Sequence, residues 1–349
     1  MPSTTPILPT SAGTTASSSA SPEKDGRGEG KRLVAVGGGT GLSALLRGLK
    51  HYAGSDRLRQ LTGVVTVTDD GGSSGRLRRE FGVLPPGDIR NCIAALADDE
   101  DLLTRLFQYR FPSGDGLLGH SFGNLFLTAL TGITGDFHQA ILTAESILSV
   151  RGKICPATIQ DVRLRARGMS GKVYEGESAI GASGESLDGI ELDPPSPPAF
   201  PSAVTSLEKA DLILLGPGSL YTSILPNLLI PGIRQALGKS PARTVLLLNL
   251  MTQPGETDGM TGLDHLRAIE RFAGQGLVDV VLVNSSPIPR YLLEHYAETG
   301  SEPVRLDRSE VEPLGIQLVE AELLASGDGF IRHDSGKLAN AVMELLDHA

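Results

Sequence analysis

The stretch Arg32–Lys50, RLVAVGGGTGLSALLRGLK, decides the fold class of this chain. Its first five residues form an apolar run that is typical of a buried strand, and a glycine cluster follows at once. Beyond the glycines, leucines recur at the spacing of one helix face, at Leu42, Leu45, Leu46 and Leu49. A strand, a glycine-rich turn and a helix in this order predict an α/β fold whose turn binds a ligand.

The spacing of the glycines in GGGTG does not match two familiar phosphate-binding loops. A dinucleotide fingerprint, G-x-G-x-x-G or its alanine form, would need a small residue where Leu42 stands. A P-loop continues with a lysine and a hydroxyl residue, and none of the glycine-rich loops that follow a strand here does so. The pattern therefore argues against an NAD-dependent dehydrogenase and against a P-loop NTPase.

Farther along the chain, apolar strands alternate with amphipathic helices. This alternation predicts a Rossmann-like, doubly wound α/β fold with a mostly parallel sheet over residues 31–349. Residues 152–202 carry short extended pieces, Gly/Ser turns and a proline cluster, and predict a small β-rich lobe and connector. Residues 1–30 are mostly Ser, Thr, Pro, Gly and Ala, and predict a disordered tail. The later predicted strands are LTGVVTV (61–67), ADLILL (210–215), RTVLLL (243–248) and VDVVLV (278–283).

Composition excludes several classes of protein. A net charge of −10 argues against general nucleic-acid binding, which needs a basic face. No apolar run approaches the roughly 18 residues of a membrane span, and the first 30 residues lack the apolar core of a secretory signal. The two cysteines, Cys92 and Cys155, have no metal-ligand spacing and are expected to be reduced thiols in a cytoplasmic protein.

Four polar, glycine-rich loops each follow an apolar strand: GGGTG (37–41), TDDGGSSG (68–75), GPGSLYTS (216–223) and NLMTQPGET (249–257). In a parallel sheet these strand ends share one edge, where ligands of open α/β sheets bind. One such cluster could be a plain tight turn, but its recurrence favours a phosphate site built from backbone N–H groups and hydroxyls. The candidate ligand-binding residues in the first and third loops are Gly38, Gly39, Thr40, Gly41, Gly216, Gly218, Ser219 and Ser223.

The second loop adds charged candidates. Asp69 and Asp70 are adjacent at a strand end, so they should point to opposite faces and do different jobs. One would bind a ribose hydroxyl or a divalent cation and the other would turn the loop; the alternative is a plain Asp-Gly turn. Arg76 is a candidate phosphate ligand. Arg78 and Arg79 could serve the same purpose or lie on a solvated helix face.

Two further motifs carry polar residues on predicted helices; the second helix is predicted over 119–133, and Asp136 is predicted to cap the helix that follows it. In GDIRN, Asp88 is expected to cap a helix and Arg90 is a phosphate candidate. In GHSFGN, His120 is more readily explained as a structural residue, whereas Asn124 lies in an apolar helix start and needs a partner that a ligand could supply. No HExxH, GxSxG or nucleophile–base pair is present in the sequence. The residues therefore indicate a binding site more clearly than a reaction.

Six motifs in order resemble the signatures of the YvcK-like gluconeogenesis factors, a branch of the superfamily that contains 2-phospho-L-lactate transferase. They are GGGTGLS, VTDDGGSSGRLR, PPGDIRN, GHSFGNL, GPGSLYTSILPNLL and NLMTQPGET. The resemblance runs from Arg32 to the closing helix and leaves out only the N-terminal tail, whose role stays open.

The resemblance implies a cytoplasmic bacterial regulatory factor that binds a nucleotide sugar of the UDP-N-acetylglucosamine type. It also implies an association with gluconeogenic growth, cell shape and wall synthesis, and no reaction or required cofactor. By motif order it adds Tyr296 and Arg332 to the candidate ligand-binding residues. A tyrosine ring can stack on a base and a guanidinium can pair with a diphosphate.

The alternative is a metal-assisted phospholactyl or nucleotidyl transferase like the superfamily relatives, whose crevice holds a guanine nucleotide and a deazaflavin acceptor. In that case Asp69 and Asp70 would be the Mg²⁺ ligands. An NAD(P)-dependent redox enzyme is a third, weaker hypothesis. The sequence does not fix a homo-oligomeric state or the downstream protein partner.

Overall fold

The structure is a computed structural model that describes residues 30–98, 101–327 and 329–349. The disordered tail predicted over 1–30 therefore lies, except for Gly30, outside the described residues. Within the described ranges none of the helices is both long and apolar enough to cross a bilayer. Cys92 and Cys155 are buried free thiols.

Ten strands form two sheets in the described part of the chain. The main sheet has seven strands in the order β10-β9-β8-β7-β1-β2-β3, and every neighbouring pair is parallel. The small sheet has the order β5-β4-β6 and is antiparallel. The strands are β1 Lys31–Gly37, β2 Leu58–Val65, β3 Lys153–Pro156, β4 Arg163–Gly168, β5 Val173–Glu175, β6 Leu187–Asp193, β7 Leu212–Leu215, β8 Arg243–Leu247, β9 Val280–Asn284 and β10 Gln317–Ala321.

Helices cover both faces of the main sheet. They are α1 Gly39–Leu49, α2 Gly72–Phe81, α3 Gly87–Leu96, α4 Asp101–Gln108, α5 Phe122–Thr134, α6 Phe137–Ile147, α7 Glu177–Gly181, α8 Pro201–Glu208, α9 Leu225–Leu228, α10 Pro231–Lys239, α11 Gly262–Ala273, α12 Arg290–Ala297, α13 Arg308–Val311 and α14 Ser335–Asp347. A π-helical turn, Leu220–Ile224, precedes α9, and a 3₁₀ turn, Glu312–Leu314, follows α13.

The central strand β1 shows why the sheet is covered on both faces. Successive side chains of a strand point to opposite faces. Leu33 and Ala35 enter one apolar core with the leucines of α1, whereas Val34 and Val36 enter a second core with α9, α10 and α11. All four side chains are buried. The predicted doubly wound α/β fold with a small β-rich part is therefore confirmed.

The strand order reverses beside β1. From β1 the chain builds outward through β2 and β3, and it then returns to add β7, β8, β9 and β10 on the other side. The crevice between the carboxyl ends of β1 and β7 is the switch point at which doubly wound sheets bind ligands. The four loops identified in the sequence follow β1, β2, β7 and β8, as predicted.

Several predicted boundaries shift in the structure. The helix predicted over 119–133 begins only at Phe122, because Gly119 has φ +78° and the Ser121 hydroxyl accepts the N–H of Asn124 at the helix start. Asp136 caps α6 as predicted, with Oδ1 accepting the N–H of Gln139 at 2.7 Å. Asp88 does not cap α3, whose N-cap is Pro86, and its carboxyl instead accepts the backbone N–H of Gly39.

Two strands of the main sheet were not predicted from the sequence. β3 lies inside the segment 152–202 but pairs with β2, so only β4, β5 and β6 of that segment form the small sheet. β10 pairs with β9 at the opposite edge. The sequences of these strands, KICP and QLVEA, lack the continuous apolar run that marks a strand such as β7, LILL. The chain leaves the main sheet after β3 and returns to it before β7. We call residues 157–200 of this excursion the small lobe.

Candidate functional site

A cleft of about 1210 Å³ lies over the switch point. The loops after β1, β7 and β8 supply three of its walls, and the predicted residues among them are Gly38, Gly39, Thr40, Gly41, Gly218, Ser219 and Ser223. Other lining residues come from α1, α3, α7 and α12 and from residues 330–333. The four loops lie at one edge of the sheet, as predicted. The loop after β2, however, contributes no residue to the described lining of the cleft.

The glycines after β1 allow a close approach between backbones. A Cβ on Gly41 would come within 2.3 Å of the Pro217 carbonyl oxygen in the loop after β7. A Cβ on Gly38 would lie 2.6 Å from a methyl carbon of Thr66 and 2.7 Å from Asp88 Oδ2. Gly39 opens helix α1 with φ +64°. These contacts bring the start of α1 into the crevice, where bulkier residues would not fit.

The start of α1 is suited to an anion. In the described structure its first turn carries no acidic residue and its N-cap position makes no side-chain hydrogen bond. The first N–H groups of a helix lack partners within the helix and carry a partial positive charge. The N–H of Gly39 donates to Asp88, while Thr40 and Gly41, the next residues of the first turn, line the cleft as in a phosphate-binding helix start.

The loop after β7 is held by side chains of the loop after β8. Asn249 Nδ2 donates to the Gly218 carbonyl at 2.9 Å, and Gln253 Nε2 donates to Ser219 Oγ at 2.8 Å. Gly216 has φ +84° and lies below the lining, where it turns the chain into the loop. The two loops therefore present a fixed wall to the cleft.

Asp69 and Asp70 have different hydrogen-bond partners, and neither is part of the described cleft lining. Asp69 Oδ1 accepts the N–H of Gly71 at 2.9 Å and turns the loop. Asp70 Oδ1 accepts the N–H of Ser178 at 2.9 Å, in the small lobe. Among the described side chains, no three histidine, cysteine or acidic residues converge as a metal site.

Arg76 and Asn124 also lie outside the lining. Arg76 Nη2 donates to the Leu118 carbonyl at 2.6 Å. Asn124 is buried and donates to Ser74 Oγ at 3.4 Å, while its Oδ1 has no partner among the described atoms. Their closest described polar partners are thus protein groups next to the cleft.

The histidine and the other arginines of these motifs have structural surroundings. His120 is buried, and its Nδ1 lies 2.9 Å from Ser73 Oγ, in agreement with the structural interpretation. Arg79 is exposed. Arg78 is buried, pairs with Asp161 and donates to the Val162 carbonyl at 2.6 Å, so its predicted place on a solvated helix face is wrong. It ties α2 to the small lobe.

Positive charge surrounds the cleft. Arg47, Arg90, Arg110 and Arg332 all line it. Arg90 is buried, and both burial and the neighbouring charge of Arg110 lower its pKa. Its Nε has no hydrogen-bond partner among the described residues. Two guanidinium groups held close together favour an anionic ligand between them.

Tyr296 contacts the segment that carries Arg332 in the cleft wall. The Tyr296 hydroxyl accepts the N–H of Ile331 at 3.1 Å, which fixes the ring of α12 against residues 330–333. Both Tyr296 and Arg332 line the cleft. His333 also lines it, and burial lowers its pKa to about 4, so it is neutral at pH 7.

Sequence reasoning missed two carboxyl groups in the lining, Glu177 and Glu256. Burial raises the pKa of Glu256 to about 7, against the opposing hydrogen bonds from Thr222 and Tyr221. Burial, followed by the negative charges of Asp88, Asp69 and Glu256, raises the pKa of Glu177 to about 9. Glu256 could have been found, because it lies inside the MTQPGET motif. Glu177 lies in the Gly/Ser-rich small lobe, where no motif pointed to it.

Asp88 lies just behind the glycines of the first loop. Burial and the charge of Asp69 raise its pKa to about 7, and the hydrogen bond from Gly39 acts in the opposite direction. Glu177, Glu256 and Asp88 therefore carry less negative charge at neutral pH than three free carboxylates would. The surroundings of the cleft are accordingly more positive than its residue list indicates.

Comparisons with known proteins agree with this arrangement. The family described as 2-phospho-L-lactate transferase CofD matches residues 33–324. A protein from a Nostoc species is 52% identical over 317 residues, which are 90% of this chain and 68% of that protein. The gluconeogenesis factor of Bacillus subtilis is 45% identical over 319 residues, 91% of this chain and 99% of its own length.

A crystal structure of a Bacillus halodurans protein superposes with a TM-score of 0.86 at 44% sequence identity, covering 90% of this chain and all of that one. The resemblance seen in the motifs is thus found over nearly the whole described fold. The chain belongs to the 2-phospho-L-lactate transferase CofD family, among relatives named gluconeogenesis factors.

Proposed function

We propose that this protein binds a nucleotide sugar of the UDP-N-acetylglucosamine type in the cleft. It then acts as a cytoplasmic regulatory factor for cell morphogenesis and wall synthesis during gluconeogenic growth. The observation that carries the binding proposal is the glycine-rich start of α1 at the switch point, in a cleft that arginines and Tyr296 also line. A diphosphate and a base are the groups that such a site matches.

The size of the cleft supports a ligand with several parts. Pockets for small ligands are typically about 300–1,000 Å³, and this cleft has about 1210 Å³. The glycine loops are at its centre, so a diphosphate there leaves room for a base on one side and a sugar on the other. The regulatory part of the proposal rests on the name of the Bacillus subtilis relative, gluconeogenesis factor.

Isothermal titration with UDP-N-acetylglucosamine tests the binding proposal. We expect saturable binding, and Arg332→Ala should weaken it at least tenfold because a charged hydrogen bond to phosphate is lost. Arg290→Ala is the matched control, since Arg290 is exposed on α12 and pairs with Glu294. No heat and no thermal shift of the wild-type protein at millimolar ligand would refute the proposal.

The match to the transferase family keeps one alternative, a metal-assisted transfer of a phosphorus-containing group. Asp70 is taken up by Ser178, but the charge of Asp69 contributes to the raised pKa of Asp88 beside the first glycine loop, and Mg²⁺ binds one or two carboxylates together with substrate phosphates. These two side chains would hold the metal, which would neutralise phosphate charge. Incubation of the protein with nucleotide sugar, Mg²⁺ and candidate acceptors distinguishes the two functions: turnover favours the transferase, and intact ligand with EDTA-insensitive binding excludes it.

A further inference from the structure

Two carboxyl oxygens in the cleft wall are buried without a hydrogen-bond partner among the described residues: Glu177 Oε2 and Glu256 Oε2. Glu256 is only 6% exposed, and its other oxygen accepts from Thr222 Oγ1 at 3.2 Å. A buried polar atom without a partner is costly, and native proteins rarely leave one unless something else occupies it. Both residues line the cleft, so a ligand can supply the missing partner.

The small lobe places these two groups side by side. Asp70 accepts the N–H of Ser178 at the start of α7, and Ser183 Oγ donates to the Gly255 carbonyl at 3.1 Å. The first contact ties the lobe to the loop after β2 and the second ties it to the loop that carries Glu256. The charge of Glu256 contributes to the raised pKa of Glu177, which agrees with their closeness.

The α7 part of this wall, with Glu177, lies away from Tyr296, and the contact between Ser183 and Gly255 brings Glu256 to that part. Asp70, which anchors α7, follows β2, whereas Tyr296 follows β9, and the strands β1, β7 and β8 stand between them in the sheet. The glycine loops after β1 and β7 occupy the interval. A ligand with its base near Tyr296 and its diphosphate at the glycines therefore extends its remaining part toward Glu177 and Glu256.

We propose that Glu177 and Glu256 form a hydroxyl-binding subsite, built jointly by the small lobe and the loop after β8, that holds the sugar ring of the nucleotide sugar. The subsite rests on the proposed function, since it takes the part of that ligand which lies beyond the diphosphate. Its contribution is to distinguish a nucleotide sugar from a bare nucleoside diphosphate.

The chemistry of the two groups suits hydroxyls. A sugar hydroxyl is both donor and acceptor, and a neutral carboxyl is both as well. The raised pKa values of about 9 for Glu177 and about 7 for Glu256 keep the neutral form populated at physiological pH. Neutral carboxyls also avoid repulsion with the neighbouring diphosphate, which two ionised carboxylates would cause.

The experiment compares UDP with UDP-N-acetylglucosamine by titration calorimetry on the full chain, for the wild type, Glu177→Ala and Glu256→Ala. We expect each variant to lose at least tenfold in affinity for the nucleotide sugar and less than twofold for UDP. Glu175→Ala is the matched control, because Glu175 is exposed on β5 outside the described lining and should leave both affinities unchanged. Circular dichroism and thermal unfolding establish that each variant is folded.

The outcomes separate the subsite from the proposed function. Equal losses for UDP and the nucleotide sugar, or no loss for either, overturn the subsite while the wild type still binds. Wild-type protein that binds neither ligand overturns both proposals. A wild-type affinity that falls in EDTA to the level of the variants would show that the carboxyls hold a divalent cation, and it also overturns the hydroxyl subsite. For a variant that fails to fold, Glu177→Met and Glu256→Met give the same comparison at similar volume without a strong hydrogen-bonding group, with at least a threefold loss expected for the nucleotide sugar alone.

Discussion

At the scale of single residues, Gly41 shows how strictly the crevice is built. Its own backbone needs no left-handed conformation, since its φ is not among the positive values. The constraint comes from another segment, because the Pro217 carbonyl oxygen occupies the place where a Cβ would stand. Sequence reasoning could assign this glycine to a phosphate loop, but it could not foresee that the partner surface is a backbone 176 positions later in the chain.

Gly41→Ala should destabilise the protein and weaken nucleotide-sugar binding. A Cβ 2.3 Å from a backbone oxygen must push the two loops apart, at a cost of about 1–3 kcal/mol for overpacking. Gly132→Ala is the control, because Gly132 lies within α5 and a Cβ there meets no described atom within 4 Å. The control should be neutral or stabilising by up to about 1 kcal/mol. Urea unfolding and titration calorimetry measure both effects, and equal behaviour of the two variants would contradict the packing argument.

At the scale of elements, pattern and periodicity predicted what is local. The β1–turn–α1 unit, the Asp136 cap and the four loops at one sheet edge could all be read from neighbouring residues. The features that the sequence did not predict depend on residues that are distant along the chain. Arg78 is buried where it pairs with Asp161 and donates to the Val162 carbonyl. β3 and β10 are strands because each pairs with a neighbouring strand of the main sheet.

Helix α7 illustrates a cap that comes from another part of the chain. Its N-cap position is Gly176, which has no side chain, and a Cβ there would lie against Asp70 Oδ2. Asp70 accepts the N–H of Ser178 in place of a local cap. Since Asp70 and Ser178 are 108 positions apart, the interaction closes the small lobe onto the main domain.

Asp70→Ala should therefore loosen the lobe while leaving the main sheet intact. We expect faster amide hydrogen exchange over 177–184 and unchanged exchange in β1 and β7, because only the lobe loses its anchor. Asp136→Ala is the comparison, since it removes a local cap at a cost of about 1 kcal/mol and should affect only the start of α6. Uniform exchange across the Asp70→Ala protein, equal to wild type, would show that the carboxylate is not an anchor.

At the scale of the whole molecule, the buried acids make stability depend on pH. The pKa of Glu256 rises from 4.5 in a free chain to about 7 in the folded protein. The folded state therefore holds this proton more tightly than the unfolded chain does. Its stabilising contribution is complete below about pH 4.5 and is lost as the pH rises through about 7. Asp88, with a pKa of about 7, acts in the same direction.

Glu256→Gln should gain stability relative to wild type as the pH rises from 5 to 8. The amide never ionises, and its oxygen can still accept from Thr222. The change in the stability difference should be on the order of 3 kcal/mol or less. Glu175→Gln, at an exposed position, is the control. Urea unfolding at the two pH values measures both, and a constant offset for Glu256→Gln would contradict the assigned burial effect.

The route of the chain through the sheet has a consequence for how this fold can diversify. After β3 the polypeptide must travel from one edge of the sheet back to its centre to form β7, and the small lobe is that traverse. Its three strands pair only with one another, so no register of the seven-stranded sheet depends on their length. Exchange or resizing of this one segment can remodel a wall of the cleft while the loops after β1, β7 and β8 stay anchored to the main sheet.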